Sequence, residues 1–212
     1  MSSLPSLSNL VSQISACRLC RDEPAGRPLP HEPRPVLRVS STARIAICGQ
    51  APGTRVHASG IPFTDPSGDR LREWMSVSEE EFYDTERIAI VPMGFCFPGL
   101  DSKGGDLPPR KECAPRWRRE VFQRLNNIEL ILLVGLYAQK WHLDGYQRGN
   151  LTETVRAWET YKELNPLIIP LPHPSWRNNA WLKKNPWFGA ELLPYLKEQI
   201  RKLLRSKCST SS

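Results

Sequence analysis

Four short runs of consecutive apolar residues constrain this chain most: Arg44–Cys48 (RIAIC), Ile88–Met93 (IAIVPM), Glu129–Gly135 (ELILLVG) and Leu167–Leu171 (LIIPL). None alternates apolar with polar residues, as a strand with one solvated face would. Continuous apolar runs mark strands buried on both faces, the arrangement of a parallel sheet covered by helices on each side. Stretches with helical spacing lie between the runs. Gly68–Val77 places Leu71, Trp74 and Met75 on one face, and Pro115–Leu125 does the same with Trp117, Val121 and Leu125. Leu151–Leu164 aligns Val155 with Trp158, and Phe188–Leu204 aligns Leu192, Leu196, Ile200 and Leu203. With a helix near Leu7–Ala16, the expectation is an α/β fold: a three-layer α/β/α sandwich around a central four-stranded parallel sheet. Arg21–Arg38 carries five prolines and reads as an irregular connection.

At 212 residues the chain can bury a full core. We expect one domain over residues 1–207 and a disordered tail at 208–212. No run of 18 apolar residues exists, which excludes a membrane-spanning helix. The first residues lack a basic stretch followed by an apolar core, so the expected location is the reducing cytoplasm, nucleoid-associated, with the protein a monomer. Lys and Arg number 29 against 22 Asp and Glu, a formal charge of +7 that suits a polyanionic partner. The excess is local. Eight basic residues against two acidic ones lie from His173 onward, and seven against three lie in 103–124. Each run also reads as a solvated helix face.

In open parallel sheets ligands bind beyond the carboxyl ends of the strands. The segments leaving those ends here are Gly49–Gly68, Phe95–Pro109, Leu136 onward and Pro172–Lys184. The first opens with Gly49-Gln50-Ala51-Pro52-Gly53, a tight loop with backbone N–H groups able to face a ligand. It matches neither a Walker A loop nor a dinucleotide fingerprint. Further on, Phe63 lies in a proline-flanked loop and is a candidate stacking platform for a planar ligand, or a plug onto the core. Asp65 is a candidate catalytic carboxylate. For Asp65 and Asp69 alike the alternative is helix capping, which we favour for Asp69. In the last segment His173 stands between Pro172 and Pro174, ahead of Ser175, Trp176 and Arg177. So constrained a histidine at a strand exit suits a hydrogen-bond donor or acid/base group.

Six cysteines are present. Cys17-x-x-Cys20 is a chelating pair, and Cys96 and Cys113 are positioned to supply two more ligands. Four thiolates with no nearby histidine suit a [4Fe–4S] cluster or a tetrahedral zinc site. Cys48 reads as a core thiol and Cys208 as a bystander.

Taken together, these features resemble the uracil-DNA glycosylase superfamily, and most closely its iron–sulphur branch. That branch carries a C-x-x-C near its N-terminus, G-E-A-P-G after the first strand, a G-R-P-F-V-G loop, two further cysteines around a C-R-P-P loop, and a late H-P-S or H-P-A. The counterparts here are Cys17 and Cys20, Gly49–Gly53, Gly60–Asp65, Cys96 and Cys113, and His173–Ser175, in that order. The resemblance implies hydrolysis of the N-glycosidic bond of a damaged or deaminated base, flipped out of single-stranded DNA or a damaged duplex. It casts Phe63 as the platform and Gln50–Gly53 as the floor. His173 becomes the donor to the base carbonyl oxygen, and Trp176 and Arg177 become the residues that fill the vacated stack. It also shifts the cysteine reading from zinc towards [4Fe–4S].

This chain departs from the pattern at three positions. Gln50 stands where the branch has Glu. Ala51 stands where other members have a water-activating Asp. Pro92 stands where the branch reads uracil with Asn. Asp65 is the nearest replacement carboxylate in sequence. Cleavage through a departing base anion tolerates such a loss, because a general base commonly adds only about 10²–10⁴-fold.

Overall fold

The computed structural model describes residues 6–146 and 148–205. Lys207, Cys208 and the tail expected at 208–212 lie outside the described residues. The four apolar runs form four strands, β1 (Ile45–Cys48), β2 (Ile88–Ile90), β3 (Leu130–Val134) and β4 (Leu167–Leu171). All pairings are parallel and the order is β2-β1-β3-β4. The chain therefore steps from β1 to one side and then crosses back to β3. That reversal puts a topological switch point beside the carboxyl end of β1, where a crevice opens in such sheets.

Before the sheet come α1 (Leu7–Ser15) and α2 (Leu19–Asp22). After β1 the chain forms α3 (Thr54–Ser59), α4 (Pro66–Met75) and α5 (Glu79–Tyr83). One helix, α6 (Cys113–Phe122), follows β2, and α7 (Leu136–His142) and α8 (Leu151–Arg156) follow β3. After β4 come α9 (Asn179–Lys184) and α10 (Leu193–Arg205).

Side chains alternate across the sheet although the sequence does not, because both faces are covered. Ile45, Ile47, Leu130, Leu132, Val134 and Ile169 pack with Leu71 and Met75 of α4 and Leu196 and Ile200 of α10. On the opposite face Ala89 and Val91 meet Leu10, Ile14, Trp117 and Val121, while Ala46, Cys48, Ile131 and Leu133 meet Ala138 and Leu143. Each fully buried aliphatic side chain of this kind contributes roughly 1.5–3 kcal/mol.

Several boundaries differ from expectation, each for a local reason. The α4 helix begins at Pro66 rather than Gly68, because Pro fits the first turn and Asp65 caps it. Asp69 is thus no cap; it lies inside the first turn, paired with Arg72. The α6 helix starts at Cys113 and ends at Phe122, so Leu125 packs on the core from beyond it. The helix expected over 151–164 stops at Arg156 and tightens into a 3-10 turn at Trp158–Tyr161. A π turn at Phe188–Leu192 precedes α10, and Leu204 rather than Leu203 completes its buried row. The second strand ends at Ile90, although Val91 and Met93 still donate to Ile47 and Gly49.

The proline-rich 21–38 segment is irregular beyond α2, as expected. Its last residue exchanges both backbone hydrogen bonds with Ile90, covering the outer edge of β2. None of the described helices is long and apolar enough to cross a membrane.

The basic stretch at 103–124 is a solvated face only in part: Lys103, Lys111, Arg116 and Arg119 are exposed, whereas Arg118 and Arg124 are buried and Arg110 pairs with Glu112. Near the C-terminus Arg201 is likewise engaged with Glu81.

Candidate active site

Each strand exit contributes to one crevice. The loop leaving β1 supplies Gly49, Gln50, Ala51, Pro52 and Gly53, and the exit of β2 supplies Pro92. Phe63 and Asp65 come from the loop before α4, and His173 from the exit of β4. They enclose a cavity of about 70 Å³.

The floor is held from below. Met93 and Gly94 donate to the carbonyls of Gly49 and Gln50, at 2.9 and 3.0 Å. The Gln50 amide reaches the Leu107 carbonyl at 3.4 Å. Beneath lies Arg118, 1% exposed and, among the described residues, without a carboxylate partner. Its guanidinium donates to the Val91 and Pro92 carbonyls at 2.7 Å, to Cys48 Sγ, and to His142 Nε2 at 2.6 Å. Burial beside that cation lowers His142 to about 3, so it stays neutral and accepts. Arg118 thus ties the ends of β1 and β2 together under the crevice. Sequence reading counted it as surface charge.

Phe63 forms one wall. Its φ is 58°, a left-handed conformation that a bulky residue adopts only where the surroundings impose it. Tyr83 Oη donates to the Pro62 carbonyl, and the Phe63 ring meets Phe82 edge-on at 5.9 Å. A side chain on Gly49 would touch the Phe63 ring, so that glycine gives the ring its place.

His173 forms part of another wall. Asn178 Nδ2 donates to its carbonyl at 2.7 Å, and Arg70 donates to the Ser175 carbonyl at 3.1 Å. Buried Gln139 donates to the Leu171 carbonyl at 2.9 Å and so fixes the end of β4. Burial lowers the pKa of His173, with Asp65 opposing, which leaves a neutral imidazole at pH 7. Asp65 faces the cavity while its Oδ1 accepts from Ser67 N, Ser67 Oγ and Gly68 N as the cap of α4.

Ser175, Trp176 and Arg177 are not brought into the cavity. Ser175 caps a 3-10 turn at Trp176–Asn178, which carries Trp176 outward to 71% exposure with Arg177 near its ring. Asp106, which also lines the cavity, lies in the Phe95–Pro109 segment but was not singled out from the sequence. Across Gly94 lies a second, shallower groove of about 470 Å³ that includes Met93, Pro109, Lys111, Tyr137 and Trp141.

The cysteines form a separate centre. Cys17, Cys20, Cys96 and Cys113 line one small cavity walled by Ile14, Pro33, Pro35, Phe95 and Trp117. Trp117 Nε1 donates to Cys17 Sγ, and Phe95 N to Cys113 Sγ, each at 3.3 Å. As free thiols, Cys20 is raised by burial to about 11, and Cys96 and Cys113 to about 12. Among the described residues no three of His, Cys, Asp and Glu gather closely enough to hold a single metal ion. The five described cysteines form no disulfide, and Cys48 is a fully buried core thiol.

The family model described as "Uracil DNA glycosylase superfamily" matches residues 38–197. The match takes in all four strands, the crevice, Cys96 and Cys113, but not Cys17 and Cys20. It covers well over half of the sequence, and with the parallel sheet and the crevice at its switch point it establishes that the chain belongs to the uracil DNA glycosylase superfamily.

Proposed function

We propose that the protein is a DNA glycosylase that hydrolyses the N-glycosidic bond of uracil or a related deaminated or damaged base. The observation that carries this reading is the convergence of Phe63, His173 and Gly49–Gly53 on one cavity at the sheet's carboxyl edge. The base leaves the stack, lies against Phe63 and sits over the Gln50–Gly53 floor. As the bond breaks, negative charge grows on the base, and neutral His173 donates a hydrogen bond to its carbonyl oxygen. A donor fixed before the reaction is effective because it need not reorganise. Asp65, on the same side, adds a negative charge that favours the developing sugar cation. Exposed Trp176 fills the gap left in the strand, and Arg177 contacts phosphate; stacking and counterion release are largely indifferent to sequence. The protein acts as a monomer on single-stranded DNA or a damaged duplex.

We also propose a [4Fe–4S] cluster on Cys17, Cys20, Cys96 and Cys113. Four sulfurs around one apolar cavity, two of them accepting N–H bonds, support it. A tetrahedral zinc on the same four thiolates is the alternative, and the as-purified spectrum separates them: a broad visible band supports the cluster, a colourless protein supports zinc. The cluster, when bound, ties the N-terminal helices to the loop after β2; its role is structural.

A second reading is a slow or inactive binder on the same scaffold. Ala51, Gln50 and Pro92 favour it, since all three line the cavity without offering a carboxylate or an Asn. One assay separates the two. Uracil, hypoxanthine, xanthine and oxidised pyrimidines are placed in single- and double-stranded oligonucleotides and scored by abasic-site cleavage under single-turnover conditions. Release of at least one base supports the glycosylase; tight, salt-sensitive binding with no release supports the binder.

A further inference from the structure

The loop between β2 and α6 is a small hairpin rather than a loose connection. Asp101 N donates to the Gly105 carbonyl at 2.8 Å and Leu107 N to the Gly99 carbonyl at 2.9 Å, with Leu100 and Asp106 paired across it. Asp101 Oδ1 closes the turn by accepting from Lys103 N and Gly105 N. The Gln50 amide holds the next carbonyl, that of Leu107. Asp106 is thereby fixed over the crevice and lines it together with Phe63 and His173. Its Oδ2 stands 3.2 Å from the point a Cβ on Gly53 would occupy, so the carboxylate packs closely over the bare backbone of residue 53.

The two carboxylates of the crevice differ in their availability. Oδ1 of Asp65 is committed to three donors of its own helix. Among the described residues no protein donor bonds either oxygen of Asp106. Partial burial raises the Asp106 pKa, Asp65 and Asp101 add to the rise, and Arg177 opposes it. An unbonded carboxylate poised above the ordinary range is a better base than a capped one.

We infer that Asp106, delivered by the Gly99–Leu107 hairpin onto Gly53, is the carboxylate that activates the attacking water. The inference rests on the glycosylase reading and deepens it. In the step, the C1′–N electron pair departs with the base, whose carbonyl oxygen His173 holds. The water oxygen bonds to C1′ and passes one proton to Asp106. That proton then moves through solvent to the base anion, which leaves a neutral base and an abasic sugar.

The test compares wild type with Asp106→Asn in single-turnover release from the best substrate of the base panel, across pH, alongside affinity for abasic-site DNA. We expect Asp106→Asn to slow release about 10²–10⁴-fold with abasic-site affinity within threefold. The wild-type rate should rise with pH along a limb that reports a carboxylate facing Asp65, Asp101, Arg177 and His173, and the variant should lose that limb. Retained product affinity shows that the variant is folded. A variant within threefold of wild type, with the limb intact, overturns the inference while the glycosylase reading stands. A wild type inactive on every base overturns both.

Discussion

The backbone carbonyl of Phe63 occupies the space that a side chain on Gly68 would need. Gly68 lies in the first turn of α4, and the turn closes against the Phe63 loop only because no Cβ intervenes. The left-handed Phe63 is thus held by a neighbour five residues away. Gly68→Ala should force the two apart, destabilising the protein by about 1–3 kcal/mol. A thermal melt and base-release rates read the two consequences. An unchanged melt with unchanged rate would separate Phe63 from α4.

His142 accepts from Arg118 only while neutral. Its folded pKa is lowered from 6.5 to about 3, so between these values the unfolded chain binds the extra proton. Stability from this pair is present above pH 6.5 and is lost as pH falls below it. The loss should be about 1.4 kcal/mol per pH unit at most. His142→Gln keeps an acceptor but cannot titrate. Denaturant melts at pH 7 and pH 5 should show a smaller acid loss for the variant, and an equal loss would place the sensitivity elsewhere.

How much of this was readable beforehand follows from the same residues. The sheet was legible because Ile45–Cys48 and Leu130–Val134 are apolar without a break, which only a doubly covered strand requires. The crevice was legible because Gly49–Gly53 and His173 leave strand ends. Arg118 was not. It follows Trp117 in a basic run, and only the helix phase, with Ala114 and Val121 on its flanks, turns it inward. Asp106 was not legible either. It lies in a polar, Gly-rich loop without periodicity, and a cross-hairpin pairing and the bare backbone of Gly53 set its place. Asp65 was readable as a cap or as a carboxylate, and it is a cap that also faces the cavity.

Removing His173 should cost rate rather than affinity. His173→Ala deletes the one histidine that lines the cavity among the described residues, and loss of one preorganised donor typically slows such a step about 10²–10³-fold. Single-turnover release measures the rate and titration of abasic DNA measures the affinity. A loss confined to binding would overturn the assigned role.

Trp176 stands out at 71% exposure, directly after the His173 wall. If its indole takes the place of the extruded base, Trp176→Ala should weaken binding to abasic-site duplex by about 1–3 kcal/mol. The melting temperature should be unchanged, because the ring buries little. Equal affinities for wild type and variant would remove it from the DNA contact.

Cys17 accepts from Trp117, and α1 packs on α6 beside it. If the four thiolates hold the proposed cluster, Cys17→Ala should lower iron content, visible absorption and melting temperature together. Wild-type iron and stability in the variant would take Cys17 out of the ligand set.

The most direct test is a crystal structure of the protein with abasic-site DNA and the released base. The account predicts the base lying flat against Phe63, its carbonyl within hydrogen-bond reach of the His173 ring, and Trp176 in the vacated stack. A base bound elsewhere, with the space between Phe63 and His173 empty, would contradict it.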